Sequence, residues 1–234
     1  MAGAWFAEEL MRNIRKRFGI PRNGDQGFST LELLIVISIS LIMAALAIPG
    51  YNSIRRTLRI SGDGRDLNGS INQAKLEAAS GFTRARLYAD LTANTFHIET
   101  WNKTANGGAG CWQTVGDTAN PCTVPGTSPV QALSAAVTFG FSGVGNPPPN
   151  TQPAIAQAPA CQNNTGGNGT IANAACVVFN SRGIPINFTT AAPTGLDAFY
   201  ITDNNTVYGL TVGATGVTQL WAANANGSGS WYHR

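Results

Sequence analysis

The chain is poor in the side chains that most often carry out acid–base and metal chemistry. Its 234 residues include only 2 His and 4 Cys, and 12% of them are charged. Two imidazoles and few carboxylates provide little material for general acid–base catalysis. The sequence also lacks the Gly-x-x-x-x-Gly-Lys phosphate loop, the Gly-x-Ser-x-Gly nucleophile turn and the His-Glu-x-x-His metal motif. These absences predict a protein that is not an enzyme and that needs no cofactor.

The four cysteines form no Cys-x-x-Cys pair, and only two histidines are available to complete a zinc site, so we expect no bound metal. An even number of cysteines in a loop-rich, exported domain indicates two disulfides, for which three pairings exist. We favour the pairing of sequence neighbours, Cys111 with Cys122 and Cys161 with Cys176. Each of these bonds closes a loop of roughly a dozen residues and stabilises the fold by about 3 kcal/mol.

Charge is distributed unevenly along the chain. The first 27 residues hold five Lys or Arg against three acidic residues, whereas the rest of the chain holds ten Lys or Arg and nine Asp or Glu. A basic cluster that precedes an apolar segment favours retention on the cytoplasmic side of a membrane. We therefore expect a basic, cytoplasmic N-terminus and a globular part with almost no net charge.

An apolar segment follows the basic stretch. From Leu33 to Ile48 it contains no charged residue, and Pro49 then interrupts the pattern. Counted from Phe28 the segment has 21 residues, which as a helix span roughly 31 Å and match the hydrocarbon core of a bilayer. Glu32 lies at the start of this segment, where an unpaired carboxylate costs about 3 kcal/mol. The sequence therefore predicts a membrane-spanning helix with a positively charged partner for Glu32.

These residues resemble the type IV prepilin signature. A basic leader ends in Gly27, Phe28 follows, and Glu32 stands four places farther on, before the long apolar helix. The resemblance implies that a prepilin peptidase cleaves between Gly27 and Phe28 and that the new N-terminal Phe28 is N-methylated. It also implies that Glu32 pairs with the N-terminus of a neighbouring subunit during assembly. Pro49 stands where many pilins have a helix kink, since proline removes a backbone hydrogen bond there.

Two other interpretations of the apolar segment remain open. An ordinary signal peptide would be cleaved after Ala45-Leu46-Ala47, which satisfies the small-x-small rule. That reading explains neither Glu32 nor the junction of Gly27 with Phe28. A plain single-span membrane anchor is the other interpretation.

A second helical pattern occupies residues 50–81. Apolar residues recur there at three- and four-residue spacing, which predicts an amphipathic helix. Gly62 and Gly64 interrupt the pattern, and each costs about 1 kcal/mol relative to Ala. We therefore expect a bend or a short break at these glycines. The helix should end near Gly81, which we expect to act as its C-terminal cap.

Beyond this helix the sequence predicts short strands joined by turns rich in Gly, Pro, Asn and Asp. Their regular hairpin spacing predicts antiparallel sheet. In the first hairpin polar and apolar residues alternate, and His97 is expected to face solvent. Residues 143–170 are expected to form a surface-exposed insertion without a packing pattern. The expected strands are residues 82–87, 95–101, 137–141, 176–179, 185–188, 198–202, 207–212 and 218–222. We expect an edge strand at the C-terminal end, with Trp231 packed on the core.

The order of elements in the last third of the chain resembles the GspH/FimT group of minor pilins and pseudopilins. Phe179, Gly183 and Pro185 supply a Phe-x-x-x-Gly-x-Pro strand turn, and a terminal segment follows Leu220-Trp221. The resemblance implies an α+β, type IV pilin-like fold. In this fold a long N-terminal helix, transmembrane and then amphipathic, packs on an antiparallel β-sheet domain.

The expected organisation has four parts. Residues 1–27 are a prepilin leader, residues 28–49 a transmembrane and filament-core helix, and residues 50–81 its amphipathic continuation. Residues 82–234 are a periplasmic or extracellular β-rich domain. Before assembly the protein is expected in the bacterial inner membrane, with its N-terminus cytoplasmic and its globular domain periplasmic.

The two resemblances imply a structural filament subunit: a minor pilin or pseudopilin near the tip of a type IV pilus or a type II secretion pseudopilus. The expected partners are other pilin or pseudopilin subunits, the prepilin peptidase, the inner-membrane assembly platform and, before assembly, membrane lipid. A major pilin is the nearest alternative.

A DNA-binding minor pilin for natural transformation is the second alternative. DNA binding requires clustered cations that displace counterions from phosphates. The candidate contacts are Arg84, Arg86, Lys103 and Arg234. The globular part has almost no net charge, and its terminal motif lacks a run of arginines. Both features argue against DNA as the ligand.

Overall fold

The computed structural model describes residues 29–116, 130–163, 169–226 and 230–234. These residues form an α+β structure with one long apolar N-terminal helix and antiparallel β-sheets. The chain divides into two compact units, with the boundary between Tyr51 and Asn52. The expected leader, residues 1–27, lies outside the described residues.

Helix α1 runs from Thr30 to Ser80. Within the described part of the chain it is the one helix long and apolar enough to cross a membrane. The helix continues through Pro49 without interruption. One α-helix therefore contains both the predicted membrane-spanning segment and the predicted amphipathic segment.

Of the bend or short break expected at Gly62 and Gly64, the break is a wrong prediction, since residues 61–70 are all helical. Packing explains the difference at Gly64, where an added Cβ would lie 3.2 Å from Tyr208 Cδ1. Glycine at this position lets the helix approach the sheet closely. Ile60 and Leu67 are fully buried on either side, and burial of each contributes about 1.5–3 kcal/mol. Tertiary packing thus outweighs the poor helix propensity of the two glycines.

The end of α1 at Ser80 confirms the predicted terminus, but Phe82 rather than Gly81 is its left-handed residue. Phe82 has a φ of 45°, and the Thr83 amide donates to Ala78 O (3.1 Å). This arrangement is the Schellman motif, in which glycine usually takes the left-handed position. The Phe82 side chain is 80% exposed. The helix therefore ends at the predicted place, although phenylalanine is unfavourable in the left-handed position of this motif.

The first sheet is antiparallel and has seven strands within the described residues. Its strands are β1 Ala85–Asp90, β2 Thr95–Asn102, β3 Cys111–Thr114, β4 Gln131–Ala132, β6 Ala160–Gln162, β7 Thr170–Phe179 and β8 Pro185–Ile186. The main order is β3-β2-β1-β7-β6, while β4 pairs with β2 and β8 pairs with β7. A short 3-10 helix, Asn106–Gly108, lies between β2 and β3.

In the part of the chain that the structure describes, the second sheet is antiparallel and has five strands in the order β12-β11-β10-β9-β5. Its strands are β5 Thr138–Phe139, β9 Asp197–Thr202, β10 Thr206–Val212, β11 Thr218–Asn224 and β12 Tyr232–His233. The central strands β9, β10 and β11 confirm the predicted hairpins to within two residues. The predicted terminal edge strand is confirmed as β12, and Trp231 packs against the buried cluster around Tyr200.

Three strands of the first sheet have ends that differ from the prediction by two residues or more, and β1 ends at Asp90, three residues later than predicted. β1 begins at Ala85 rather than at residue 82, because residues 81–83 close the helix. β7 begins at Thr170, six residues earlier than expected, because it also pairs with β6. β8 ends at Ile186, two residues before the predicted end.

The main hydrophobic core joins the second half of α1 to one face of each sheet. The helix contributes one buried stripe, which matches the amphipathic pattern of the sequence from Leu67 onward. Tyr51, Ile54, Leu58 and Leu76 of that pattern are exposed. The first sheet contributes residues from β1, β2 and β7, and the second sheet contributes residues from β9, β10 and β11. The stripe consists of Ile60, Leu67, Ile71, Ala74 and Ala78.

The described part of residues 143–170 is not the unpacked surface insertion that the sequence predicted. Val144 is buried, and together with Ile155 it packs in a cluster with Tyr200 on the face of the second sheet that points away from α1. The Gln157 side chain donates to Tyr200 O (2.8 Å) and accepts from Tyr200 N (2.9 Å). The side-chain amide of Gln157 thus makes the two hydrogen bonds that the backbone of a neighbouring strand would otherwise make. A polar residue of this segment therefore binds it to the sheet.

The two sheets meet where their turns approach each other. Gly183 lies in the turn between β7 and β8, and Gly216 lies in the turn between β10 and β11. Gly216 has a φ of 78°, and an added Cβ would lie 2.2 Å from Gly183 O. Lys75 Nζ of α1 donates to Gly216 O (2.8 Å). This junction therefore requires glycine at position 216.

The substitution Gly216→Ala should destabilise the globular unit by about 3 kcal/mol, because it adds a backbone clash to a left-handed conformation. Gly213→Ala in the same turn is the matched control. Its Cβ would make an ordinary contact at 3.6 Å, so we expect a loss below about 1 kcal/mol. Urea unfolding of the full chain in mild detergent, followed by tryptophan fluorescence, measures both values. Equal losses for the two variants would contradict the close-approach explanation.

Candidate functional site

The first half of α1 presents an exposed apolar surface. The large apolar side chains of this segment are exposed, Leu46 by 77%. Its two serines do not disturb this surface, because Ser38 Oγ donates to Leu34 O (2.7 Å) and Ser40 Oγ donates to Val36 O (2.8 Å). Hydroxyl groups satisfied within the helix are compatible with a lipid environment. A surface that is apolar on all sides of a helix requires lipid or other apolar helices as its surroundings.

Glu32 is the one charged residue between positions 30 and 50. It lies exposed in the first turn of α1, where a negative charge interacts favourably with the helix dipole. Within the described residues Glu32 takes part in no hydrogen bond or ion pair. A carboxylate on an apolar surface therefore needs a cation from outside this part of the chain.

The predicted cleavage residues, Gly27 and Phe28, lie outside the described residues. Cleavage between them and N-methylation of Phe28 therefore remain predictions. Ser29 is the first described residue, and its carbonyl accepts from the Leu33 amide (3.0 Å). The helix thus begins immediately after the predicted cleavage junction.

One predicted disulfide is present in the structure. Cys161 of β6 and Cys176 of β7 are bonded, with their Cα atoms 5.0 Å apart, which confirms this pairing. Cys111 is also disulfide-bonded, while its predicted partner Cys122 lies outside the described residues. The Cys161–Cys176 bond ties β6 to the neighbouring strand of the first sheet.

The four candidate DNA contacts do not form one patch. Arg84 stacks on Phe188 and donates to Phe188 O (2.9 Å), and Lys103 Nζ donates to Phe82 O (2.7 Å). Both lie near the start of β1 and the end of β2. Arg234 is instead beside the edge strand of the second sheet, where its guanidinium contacts Tyr232.

Arg86 corrects the prediction most clearly. It is 0% exposed, and its Nε pairs with Glu99 Oε2. Its Nη1 donates to Gln162 O (2.9 Å), and the guanidinium carbon lies 4.2 Å from the centre of the Trp112 ring. A guanidinium enclosed in this way cannot reach a phosphate of DNA, so Arg86 is not a DNA contact.

His97 corrects a second prediction, since it is 4% exposed rather than facing solvent. Its ring stacks on Tyr88 at 4.7 Å between centroids, and Nε2 lies 3.4 Å from Glu99 Oε1. The opposite face of β2 is also buried, through Phe96 and Ile98 in the main core. Because both faces of this strand are covered, alternation of polar and apolar residues does not identify a solvent face here.

These side chains form a buried polar cluster on the side of the first sheet away from α1: Arg86, Tyr88, His97, Glu99 and Trp112. Burial lowers the pKa of the Arg86 guanidinium, and the charge of Glu99 acts against this shift. Burial acts to raise the pKa of Glu99, but Arg86 and His97 outweigh it, so that pKa lies below its ordinary value. Glu99 is therefore a carboxylate at neutral pH, and the counter-charge is the guanidinium of Arg86, a group that keeps its proton in proteins.

The sequence contained a signal for this cluster that the prediction did not use. The hairpin turn between Asp90 and Thr95 places Arg86 directly opposite Glu99 and Tyr88 directly opposite His97. Opposite charges at facing positions of an antiparallel pair attract each other. Counting the hairpin register from the turn would have paired the two charged residues.

The substitution Glu99→Gln should destabilise the globular unit by about 3–5 kcal/mol at pH 7, because Arg86 is left buried without a counter-charge. The folded pKa of Glu99 lies below its ordinary value of 4.5. Its contribution is therefore complete above that value and is lost as the pH falls through the folded pKa. The difference between the wild type and the variant should narrow in acid. Urea unfolding at several pH values measures it.

The exposed carboxylate Asp66 provides the control, since Asp66→Asn should change the free energy of unfolding by less than about 1 kcal/mol. The paired replacement of Arg86→Met with Glu99→Leu should recover much of the loss, because no buried charge remains. A Glu99→Gln protein as stable as the wild type would show that the ion pair is not required.

The described residues contain no group of three His, Cys, Asp or Glu side chains placed to hold a metal ion. Comparison with family models, curated proteins and solved structures found no match to this chain. What the protein does must therefore be inferred from its own residues, of which the exposed apolar half of α1 and Glu32 are the most informative.

Proposed function

We propose that this protein is a structural subunit of a type IV pilus or a type II secretion pseudopilus, a minor pilin or pseudopilin. A prepilin peptidase cleaves the chain between Gly27 and Phe28, and Phe28 becomes the N-methylated N-terminus. Until assembly the subunit remains in the inner membrane, and it is then incorporated into a filament through the apolar half of α1. The globular unit is carried at or near the filament tip.

One observation carries this proposal: a single exposed carboxylate, Glu32, on a helix surface that is otherwise apolar. Lipid offers no stable counter-charge in its hydrocarbon region, so the carboxylate favours a state in which a cation reaches it. Cleavage after Gly27 creates an amino group four residues before Glu32. In a filament the amino group of a neighbouring subunit meets this carboxylate.

The apolar side chains of the segment have a matching role in assembly. Lipid tails and neighbouring helices are equally apolar, so exchange of one for the other has little hydrophobic driving force. The charge pair at Glu32 therefore supplies both direction and register to the docking of subunits. The assembly platform and the other subunits are the partners that this step requires.

The described fold supports the proposal at the level of architecture. The second half of α1 packs its apolar stripe into the core of an antiparallel β-domain, while the first half is left exposed. A subunit of a helical filament needs both halves, because one part of its helix packs in the shared core of the fibre and the other part packs on the subunit's own domain. The same division suits a major pilin, which remains the nearest alternative.

The geometry gives less support to the DNA-binding alternative. Arg86 is enclosed in the buried polar cluster. Arg84 and Lys103 lie near the start of β1 and the end of β2, whereas Arg234 lies beside the edge strand of the second sheet. Arg84 and Lys103 also donate hydrogen bonds to backbone carbonyls. A phosphate backbone is bound by a continuous basic surface, which these residues do not supply.

The substitution Glu32→Ala should leave cleavage intact and reduce incorporation into filaments by more than about tenfold, because the charge pair contributes more than about 1.4 kcal/mol. Glu32→Gln should behave in the same way, since it keeps the size of the side chain and removes its charge. The measurement compares the amount of processed protein in sheared filaments with the amount in membranes.

Asp66→Ala is the matched control, because Asp66 is an exposed carboxylate on the globular part of the same helix. This variant should enter filaments as the wild type does. Normal incorporation of both Glu32 variants would contradict the proposed charge pairing. Loss of processing in the Glu32 variants would show that the residue acts at cleavage and not at assembly.

A further inference from the structure

A basic cleft lies beside α1 in the globular unit. Its volume is about 550 Å³, and its lining includes Arg56 and Arg59 of the helix. The other walls come from residues 135–138, before and at the start of β5, and from residues 203–205, in the turn between β9 and β10. We call this feature the Arg56–Arg59 cleft.

The two arginines are available to a ligand. Arg56 is exposed and Arg59 is half-buried, and their spacing of three residues places both on one side of the helix. Neither makes a hydrogen bond or an ion pair within the described residues. Arg55, by contrast, has an interaction of its own. The cleft therefore holds two positive charges that have no ion-pair partner within the described residues.

The wall facing the arginines is held in place by a buried carboxylate. Asp63, one turn farther along α1 than Arg59, accepts hydrogen bonds from Ser134 N (3.0 Å) and Ser134 Oγ (2.8 Å). The Val137 amide in turn donates to Ser134 O (2.9 Å) and closes the turn. Ala136 occupies a left-handed conformation in this turn, with a φ of 70°. The cleft is thus a formed feature of the fold.

The remaining polar groups of the cleft mostly favour an anion. Thr138, Asn204 and Asn205 line it with hydroxyl and amide groups that can donate hydrogen bonds. Asp203 is the one acidic residue in the lining, and its Oδ1 already accepts from the amides of Asn205 (2.9 Å) and Thr206 (2.7 Å). Donors and positive charge therefore exceed acceptors and negative charge.

The position of the cleft in the sequence indicates where such an anion comes from. Arg56 and Arg59 follow Ile48, the last residue of the apolar run, by eight and eleven residues. Basic residues near a membrane surface are attracted to anionic headgroups, and each contributes about 1 kcal/mol when it lies within a Debye length of that surface. Guanidinium groups also suit phosphate, because their planar donors bind two oxygens at once.

We infer that the Arg56–Arg59 cleft binds the phosphate of an anionic phospholipid while the subunit waits in the membrane. This inference rests on the membrane-anchored stage of the proposed function. The bound headgroup holds the globular unit at the bilayer surface until assembly, when neighbouring subunits replace the lipid around α1. The cleft is separate from Glu32 and takes no part in the charge pair.

The test uses the full chain in a nonionic detergent with equal amounts of phosphatidylglycerol and phosphatidylcholine. Native mass spectrometry counts the lipid molecules that remain bound. The wild type should retain phosphatidylglycerol over phosphatidylcholine by about thirtyfold, the effect expected of two arginines. Arg56→Gln with Arg59→Gln should abolish this preference. Arg56→Lys with Arg59→Lys should keep most of it, because the charges remain.

Arg65→Gln with Arg182→Gln is the matched control, because it removes two exposed arginines outside the cleft and leaves the net charge equal to that of the first double variant. This control should retain the wild-type preference. Circular dichroism checks that each variant is folded, and Asn205→Ala supplies a second variant within the cleft, for which a smaller loss is expected.

Equal retention of the two lipids by the wild type would overturn the inference, and so would a preference that survives loss of both cleft arginines. Inorganic phosphate forms a further arm. If it displaces the bound phosphatidylglycerol at equal concentration, the cleft is a site for free phosphate and not for lipid. None of these results depends on filament assembly, so failure here leaves the proposed charge pairing of Glu32 untouched.

Discussion

An apolar helix surface that carries one carboxylate is the constraint on which the rest of this protein depends. Such a surface is stable only in lipid or against other apolar helices, and its charge is stable only beside a cation. From Ile60 onward the same helix meets a different requirement, because its apolar stripe is buried by two antiparallel sheets. This difference between the two halves of α1 explains why one long helix contains both an exposed apolar segment and the stripe that packs on the β-domain.

The architecture followed from periodicity and turn chemistry, since these are local properties. The 3.6-residue pattern located α1 and its end at Ser80, and the turns of the last third located β9, β10 and β11. The break predicted at Gly62 and Gly64 is absent, because the free energy gained by burying the surrounding core residues exceeds the cost of two glycines in a helix. The description of residues 143–170 was wrong for a related reason: their packing depends on hydrogen bonds to a distant strand, such as those of Gln157, which no local pattern reveals.

The buried polar cluster and the Arg56–Arg59 cleft of the globular unit both depend on contacts between distant parts of the chain. Strand β2 is covered on both faces, so polar residues such as His97 and Glu99 lie inside, and Arg86 belongs to them and not to a ligand surface. The Arg56–Arg59 cleft exists because Asp63 fixes the turn at Ser134 against the helix. Sequence reasoning found Glu32 because its surroundings are set by neighbours in the chain, whereas the cleft is set by tertiary structure.

The most direct test of the account is the mass of the N-terminal peptide of the protein isolated from its native membrane. The account predicts a chain that begins at Phe28 and carries one methyl group on its amino nitrogen. That result would place the new amino group four residues before Glu32. A chain that begins at Ile48, or one that still begins at Met1, would contradict the account, because neither could supply the N-terminal amine that Glu32 requires.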